Sequence, residues 1–177
     1  MPVSIVYETH SISEDNEAGI ATGWLPGRLS ERGRELAREL GERRPASGID
    51  AVFSSDSARA AETAAVAVAD EVPLLLDWRL RECDYGAWNG SPAEVVHGER
   101  LSHLDDPYPG GESWRQAVAR VAGFLADLPT RWAGGRVLVV GHVATRWALD
   151  HHLRGVPLET LVGEEFAWQP GWEYTLG

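Results

Sequence analysis

Four residues of this 177-residue chain combine into one kind of chemistry: His10, Arg59, Glu82 and His142. A neutral imidazole can attack an electrophile, a guanidinium can hold negative oxygens in a planar fork, and a carboxyl can carry a proton to and from a leaving group. A phosphate ester is the electrophile that needs all three. Its oxygens are negative, and cationic groups must neutralise them and stabilise the spread charge of the transition state. A histidine could then attack phosphorus in line and form a covalent phosphohistidine. Nearby cations would keep that imidazole neutral. Its other ring nitrogen would need an acceptor, often a backbone carbonyl, to fix the tautomer.

Each signal alone is weak. A lone histidine at a strand end is more often a structural hydrogen-bonding residue. Arg59 has Glu62 within reach on its own helix, and an exposed pair of that kind contributes little. Glu82 reads equally well as a solvated loop acid. Their joint placement is what carries the reading, and that placement depends on the elements between them.

Short apolar runs predict strands over 3–7, 51–53, 73–76 and 137–140, the last being the most apolar and so the central one. An edge strand is expected over 173–176. Ser30 caps a helix with Leu36, Ala37 and Leu40 on one face, ending near Arg43 before Pro45. Further helices are expected over 58–69, 112–132 and 144–153. Alternating strands and helices predict an α/β three-layer sandwich, a mostly parallel central sheet with helices on both faces. Ligands in such sheets bind beyond the carboxyl ends of the strands. Thr9-His10-Ser11, the segment from Ser54 to Arg59, Arg79-Leu80-Arg81-Glu82 and Gly141-His142 each follow a strand.

Composition narrows the setting. The length suits one domain over 1–177, with no repeat, linker or low-complexity tract. A hydrophobic fraction of 44% is normal for a globular chain. No apolar run approaches the roughly 18 residues of a membrane helix. The N-terminus lacks the features of a signal peptide, and the single cysteine, Cys83, excludes an internal disulfide, so a cytoplasmic location is expected. The net charge of −11 disfavours nucleic acid as a partner. It also requires that any phosphate site be a local positive pocket. All 16 basic residues are arginine, the better bidentate phosphate ligand. His97, His103, His151 and His152 show no metal-ligand spacing, and no metal or cofactor is expected. No membrane partner is expected either, and a homodimer is allowed.

At the residues above, the chain resembles the histidine phosphatase superfamily, also called phosphoglycerate mutase-like. That family opens with a strand followed by Arg-His-Gly, where this chain has Val6-Tyr7-Glu8-Thr9-His10-Ser11. Asn16, Gly23-Trp24-Leu25 and Leu29-Ser30-Glu31-Arg32-Gly33 resemble the region leading into the family's first helix. Ser54-Ser55 through Arg59 with Glu62-Thr63-Ala64 resembles its second arginine motif. Leu80-Arg81-Glu82, Tyr85-Gly86 and Trp88-Asn89-Gly90 resemble its acid-donor motif. Pro109-Gly110-Gly111-Glu112-Ser113 and Val139-Val140-Gly141-His142 follow in the family's order.

The resemblance implies that His10 is the phosphorylated nucleophile, that Arg59 and His142 hold the phosphoryl oxygens, and that Glu82 is the proton donor. It puts Asn16 where family members contact substrate or phosphate. Four departures stand out. Thr9 replaces the motif arginine, Ser11 the motif glycine, and Val143 the glycine usual after the second histidine. Ile20, four residues past Asn16, stands where many members carry an arginine that supports the pocket from behind. One lost charge-assisted contact is worth roughly 1.5–3 kcal/mol, or about ten- to hundredfold in binding. Thr9 and Ser11 could supply neutral hydrogen bonds instead. Arg146, one turn beyond His142, and Arg28 could reach in, although surface pairing is the commoner fate of such arginines.

The expected activity is phosphomonoester hydrolysis of a small phosphorylated metabolite. The stretch between the third strand and the long helix is short, which leaves little room for the insert of the mutase branch. A mutase-type phosphotransferase is the second reading. A weakened or inactive anion-binding member is the third, and a shift to another substrate class around His10 is the fourth. The tail Trp168-Gln169-Pro170-Gly171-Trp172 is expected to pack into the core or, less often, to wall the pocket.

Overall fold

The structure, a computed structural model, describes residues 1–68 and 71–177. Its main sheet contains β1 (Val3–Thr9), β3 (Ala51–Ser54), β4 (Leu74–Leu76), β6 (Arg136–Gly141) and β7 (Trp172–Leu176), in the order β4-β3-β6-β1-β7. β1, β3, β4 and β6 run parallel, and β7 pairs antiparallel with β1 at the edge. The strand expected to be central, β6, lies in the middle. A two-stranded ribbon joins β2 (Ile20–Ala21) to β5 (Ser91–Pro92) beside the sheet.

Strand alternation sends successive side chains to opposite faces. Val6, Val52, Leu138 and Val140 pack against Leu40 of α2 (Glu31–Arg43) and Ala60, Ala64 and Val68 of α3 (Ala58–Val68). Ile5, Tyr7, Val137 and Val139 face the other way. They meet Val118, Val121 and Phe124 of α5 (Trp114–Asp127) and Ala144, Trp147 and Ala148 of α7 (Val143–Arg154). The sheet is thus sealed on both faces. That is why its inner strands read as continuous apolar runs. Full burial of one such aliphatic side chain contributes about 1.5–3 kcal/mol.

Local signals set the ends. Ser30 caps α2 by accepting from the Gly33 N–H. Gly33 is required there, because a Cβ would lie 1.9 Å from the Ile12 carbonyl oxygen. The helix expected over 112–132 is two helices. Ser113 and Gln116 form a capping box that starts α5 two residues later. Pro129 opens α6 (Pro129–Trp132), since it has no N–H to continue the ladder. The end expected at Ala69 for α3 lies outside the described residues. Short helices complete the chain: α1 (Glu14–Glu17), α4 (Ala93–Gly98) and α8 (Leu158–Gly163). Among the described residues, no helix is long and apolar enough to cross a membrane.

Candidate active site

The carboxyl ends of β1, β3 and β6 lie side by side, because β6 pairs with both neighbours in parallel. The His10 N–H donates to the Gly141 carbonyl at 2.9 Å, and the Ser55 N–H to the Val140 carbonyl at 3.1 Å. The loops carrying His10, Arg59 and His142 therefore open on one cavity of about 1020 Å3. Glu82 lines it from the turn that follows β4. Thr9, Ser11, Asn16 and Val143 also line it, so every expected site residue borders the same space.

His10 is held for attack by one nitrogen. Its Nδ1 lies 2.6 Å from the Ser11 carbonyl oxygen. A carbonyl only accepts, so Nδ1 carries the proton and Nε2 keeps its lone pair. Burial, then Arg59, holds the imidazole well below its usual value, at about 3, against the raising effect of the Ser11 carbonyl. The nucleophile is neutral at any ordinary pH.

His142 is fully buried, with its ring centroid 4.9 Å from that of His10. Arg59 can only donate, so its contact with His142 Nδ1 at 3.4 Å makes that nitrogen the acceptor. Nε2–H then donates to Ser57 Oγ at 3.1 Å. Burial, followed by Arg59 and His10, keeps His142 below its ordinary value. Its backbone is pinned twice. The Tyr7 hydroxyl donates to its carbonyl at 2.5 Å, and its N–H donates to Thr145 Oγ1 at 3.2 Å.

Arg59 does not pair with Glu62 on the surface. It turns inward, 2% exposed, and donates to the Gly23 carbonyl at 2.9 Å. Glu62 instead binds Arg34 at 2.6 Å. Thr63, one turn past Arg59, ties the two loops together. Its Oγ1 donates to the Arg59 carbonyl at 2.7 Å and accepts the Ser11 N–H at 3.0 Å.

Glu82 is not a free loop acid. Its Oε1 accepts the N–H groups of Cys83 at 2.9 Å and Ala144 at 3.1 Å, which leaves Oε2 for the cavity. Arg120, on α5, holds the Glu82 loop from behind. It donates to the carbonyls of Arg79, Arg81 and Glu82 and pairs with Glu112 at 2.8 Å.

Asn16 commits Oδ1 to the Ser13 N–H and hydroxyl, which leaves Nδ2 as its free donor. Ser11 spends its N–H on Thr63 and its carbonyl on His10, and Thr9 ends β1 opposite Gly141. Arg28 is exposed and pairs with Glu14. Arg146 is neither a surface residue nor a cavity residue. It is half-buried, pairs with Asp150 and lies over the Trp172 ring. Arg43 does line the cavity, but it pairs with the buried Glu8 of β1 at 3.2 Å. The tail divides: Trp172 is core, while the exposed Trp168 walls the cavity.

Sequence reasoning gave no role to Ser57, Thr63, Arg100 or Arg120. Thr63, four residues after Arg59 on the same helix, had a usable local signal, and the other three act through partners distant in sequence. Among the described residues, no group of three or more His, Cys, Asp or Glu side chains could hold a metal ion.

The profile of the histidine phosphatase superfamily (branch 1) matches residues 9–167. A 2,3-bisphosphoglycerate-dependent phosphoglycerate mutase from Methylobacterium sp. (strain 4-46) is 36% identical over 177 residues, covering 91% of this chain and 85% of its own. Phosphoserine phosphatase 1 from Hydrogenobacter thermophilus is 32% identical over 165 residues, covering 88% and 78%. Among solved structures, Bacillus stearothermophilus YhfR superposes with a TM-score of 0.85 at 25% identity, covering 97% of this chain and 90% of that one. Mycobacterial glucosyl-3-phosphoglycerate phosphatase Rv2419c, in complex with VO3, superposes with a TM-score of 0.76 at 26% identity, covering 91% and 85%. On the order of its motifs, its sheet and these matches, the chain belongs to the histidine phosphatase superfamily.

Proposed function

We propose that the protein is a phosphomonoesterase that cleaves a small organic phosphate through a phosphohistidine on His10. The observation that carries this reading is the His10 imidazole, with Nδ1–H fixed on the Ser11 carbonyl and Nε2 free in a cavity shared with Arg59, His142 and Glu82. Nε2 attacks phosphorus, forming a P–N bond as the P–O ester bond breaks. Arg59 and the Asn16 amide neutralise or bind the phosphoryl oxygens, and the His142 Nε2–H joins them when it exchanges Ser57 Oγ for a phosphoryl oxygen. Glu82 Oε2 gives its proton to the departing alkoxide, then takes one from the water that cleaves the P–N bond. Thr9 and Ser11 act through backbone position and hydroxyl contacts. Val143 supplies an apolar wall.

Relatives named as phosphatases support hydrolysis. A second reading, phosphoryl transfer between positions of one substrate, draws on the relatives named as phosphoglycerate mutases. One experiment separates them. The protein is incubated with an aryl phosphate and with a panel of sugar, nucleotide, serine and glycerate phosphates, beside His10→Ala. Hydrolysis predicts free phosphate from the wild type, at least about a thousandfold less from His10→Ala, and an acid-labile phosphoprotein. Migration without release favours the mutase. No turnover and no phosphoprotein from a folded protein would overturn both.

A further inference from the structure

His142 lines the cavity and has one donor to offer it. Its Nδ1 accepts from Arg59 at 3.4 Å, so the hydrogen of the neutral ring sits on Nε2. In the resting protein that hydrogen is already taken, by Ser57 Oγ at 3.1 Å. His142 is 1% exposed, and a buried donor without a partner would lose its hydration uncompensated. Ser57 supplies the partner. It is not among the residues that line the cavity, so it meets a bound phosphate only through His142.

The hydroxyl is diverted from a different task. Ser57 directly precedes α3, and its carbonyl accepts the N–H groups of Ala60 at 3.0 Å and Ala61 at 2.9 Å. A serine so placed ordinarily turns its Oγ onto the N–H groups of the first turn. Here Oγ accepts from the Ser55 hydroxyl at 3.2 Å and from His142. Ser55 Oγ in turn accepts the Ser57 N–H at 3.2 Å, so the turn between β3 and α3 holds Ser57 in place beside the ring. Both lone pairs of Ser57 Oγ are thus occupied, and Ser55 still satisfies one of them when His142 leaves.

The two partners open to the His142 proton differ in strength. The bond to Ser57 is neutral and lies at the long end of the N–H···O range. A phosphoryl oxygen is ionised, and bonds to such acceptors are shorter and about twice as strong. The exchange therefore runs toward the anion, but each anion must first displace Ser57. We propose that Ser57 is a positioning residue that holds the His142 proton between turnovers and takes it back as inorganic phosphate leaves. The proposal rests on the phosphatase reading for the anion that is exchanged.

The test is the sign of a change in phosphate affinity. Calorimetry with inorganic phosphate compares the wild type with Ser57→Ala and Ser57→Thr. Without the hydroxyl, the His142 N–H has no partner until phosphate arrives. Ser57→Ala should bind inorganic phosphate about two- to tenfold tighter than the wild type, the worth of one neutral hydrogen bond. Product inhibition of aryl phosphate hydrolysis should strengthen by the same factor. Ser57→Thr keeps the hydroxyl and should bind as the wild type does. A structural fault at the start of α3 would instead displace Arg59, two residues on, and weaken binding. If Ser57→Ala does not fold, Ser57→Cys, whose sulfur accepts only weakly, should shift the affinity the same way by a smaller factor. Unchanged or weaker phosphate binding, or tighter binding that Ser57→Thr shares, overturns the proposal. Failure of the phosphatase reading would appear elsewhere, as no His10-dependent phosphate release from the wild type, whatever the affinities.

Discussion

A backbone carbonyl one residue away sets the tautomer of His10, and burial beside Arg59 sets its protonation state. Both have consequences that pH can test. An unfolded histidine titrates near 6.5, whereas His10 in the fold titrates at about 3 and His142 is also depressed. Between those values the unfolded chain binds more protons than the folded one, so stability rises with pH through that window and falls on acidification. Each such group removes up to about 1.4 kcal/mol per pH unit below 6.5. Urea unfolding between pH 7 and pH 4.5 should show this slope, and His10→Asn should make it shallower. Equal slopes would sink the assignment. Glu82 offers a second test. In Glu82→Gln the side-chain oxygen can still accept from Cys83 and Ala144, but no proton can be given. Turnover of an alkyl phosphate should fall about 10²–10⁴-fold with KM little changed. An aryl phosphate, whose leaving group needs no proton, should fall much less.

The elements explain why these residues could be found from sequence at all. Buried parallel strands appear as short apolar runs, and the residues just after each run must lie at one end of the sheet. His10, Arg59, Glu82 and His142, which line one cavity, and the central place of β6 were legible in this way. The residues that hold them in place were not. Arg120 lies 38 positions from Glu82 in sequence and meets it only when α5 packs behind the acid loop. Arg59 turns inward because carbonyls from the Gly23–Leu25 turn, more than 30 residues away, wait for it. No local periodicity encodes either contact. Arg120→Met should therefore act on the element as a whole. It leaves Glu112 and three carbonyls without their cation, and should lower stability by about 3–5 kcal/mol in urea unfolding. Unchanged stability would mean that the Glu82 loop holds its shape without it.

At the scale of the whole molecule the site works against its own protein. The chain carries a net charge of −11. The cavity wall adds Glu39, Glu164 and Glu165 near its rim to the arginines further in. A dianionic ester approaching from bulk therefore meets a repulsive far field before it meets Arg59. The two fields differ in range. Near 0.01 M salt the screening length is about 30 Å, and near 0.1 M it is about 10 Å. The first increments of salt thus remove the long-range repulsion, while contacts inside the buried pocket are screened much less. The expected outcome is a kcat/KM for a dianionic phosphate ester that rises roughly twofold or more between 0.01 M and 0.1 M sodium chloride. A proteinlike acidic surface with a dominant positive funnel would give the opposite sign, a steady fall from the lowest salt. Stopped-time assays at fixed pH in a non-phosphate buffer distinguish the two, and a monotonic fall would mean that the arginines govern the approach as well as the grip.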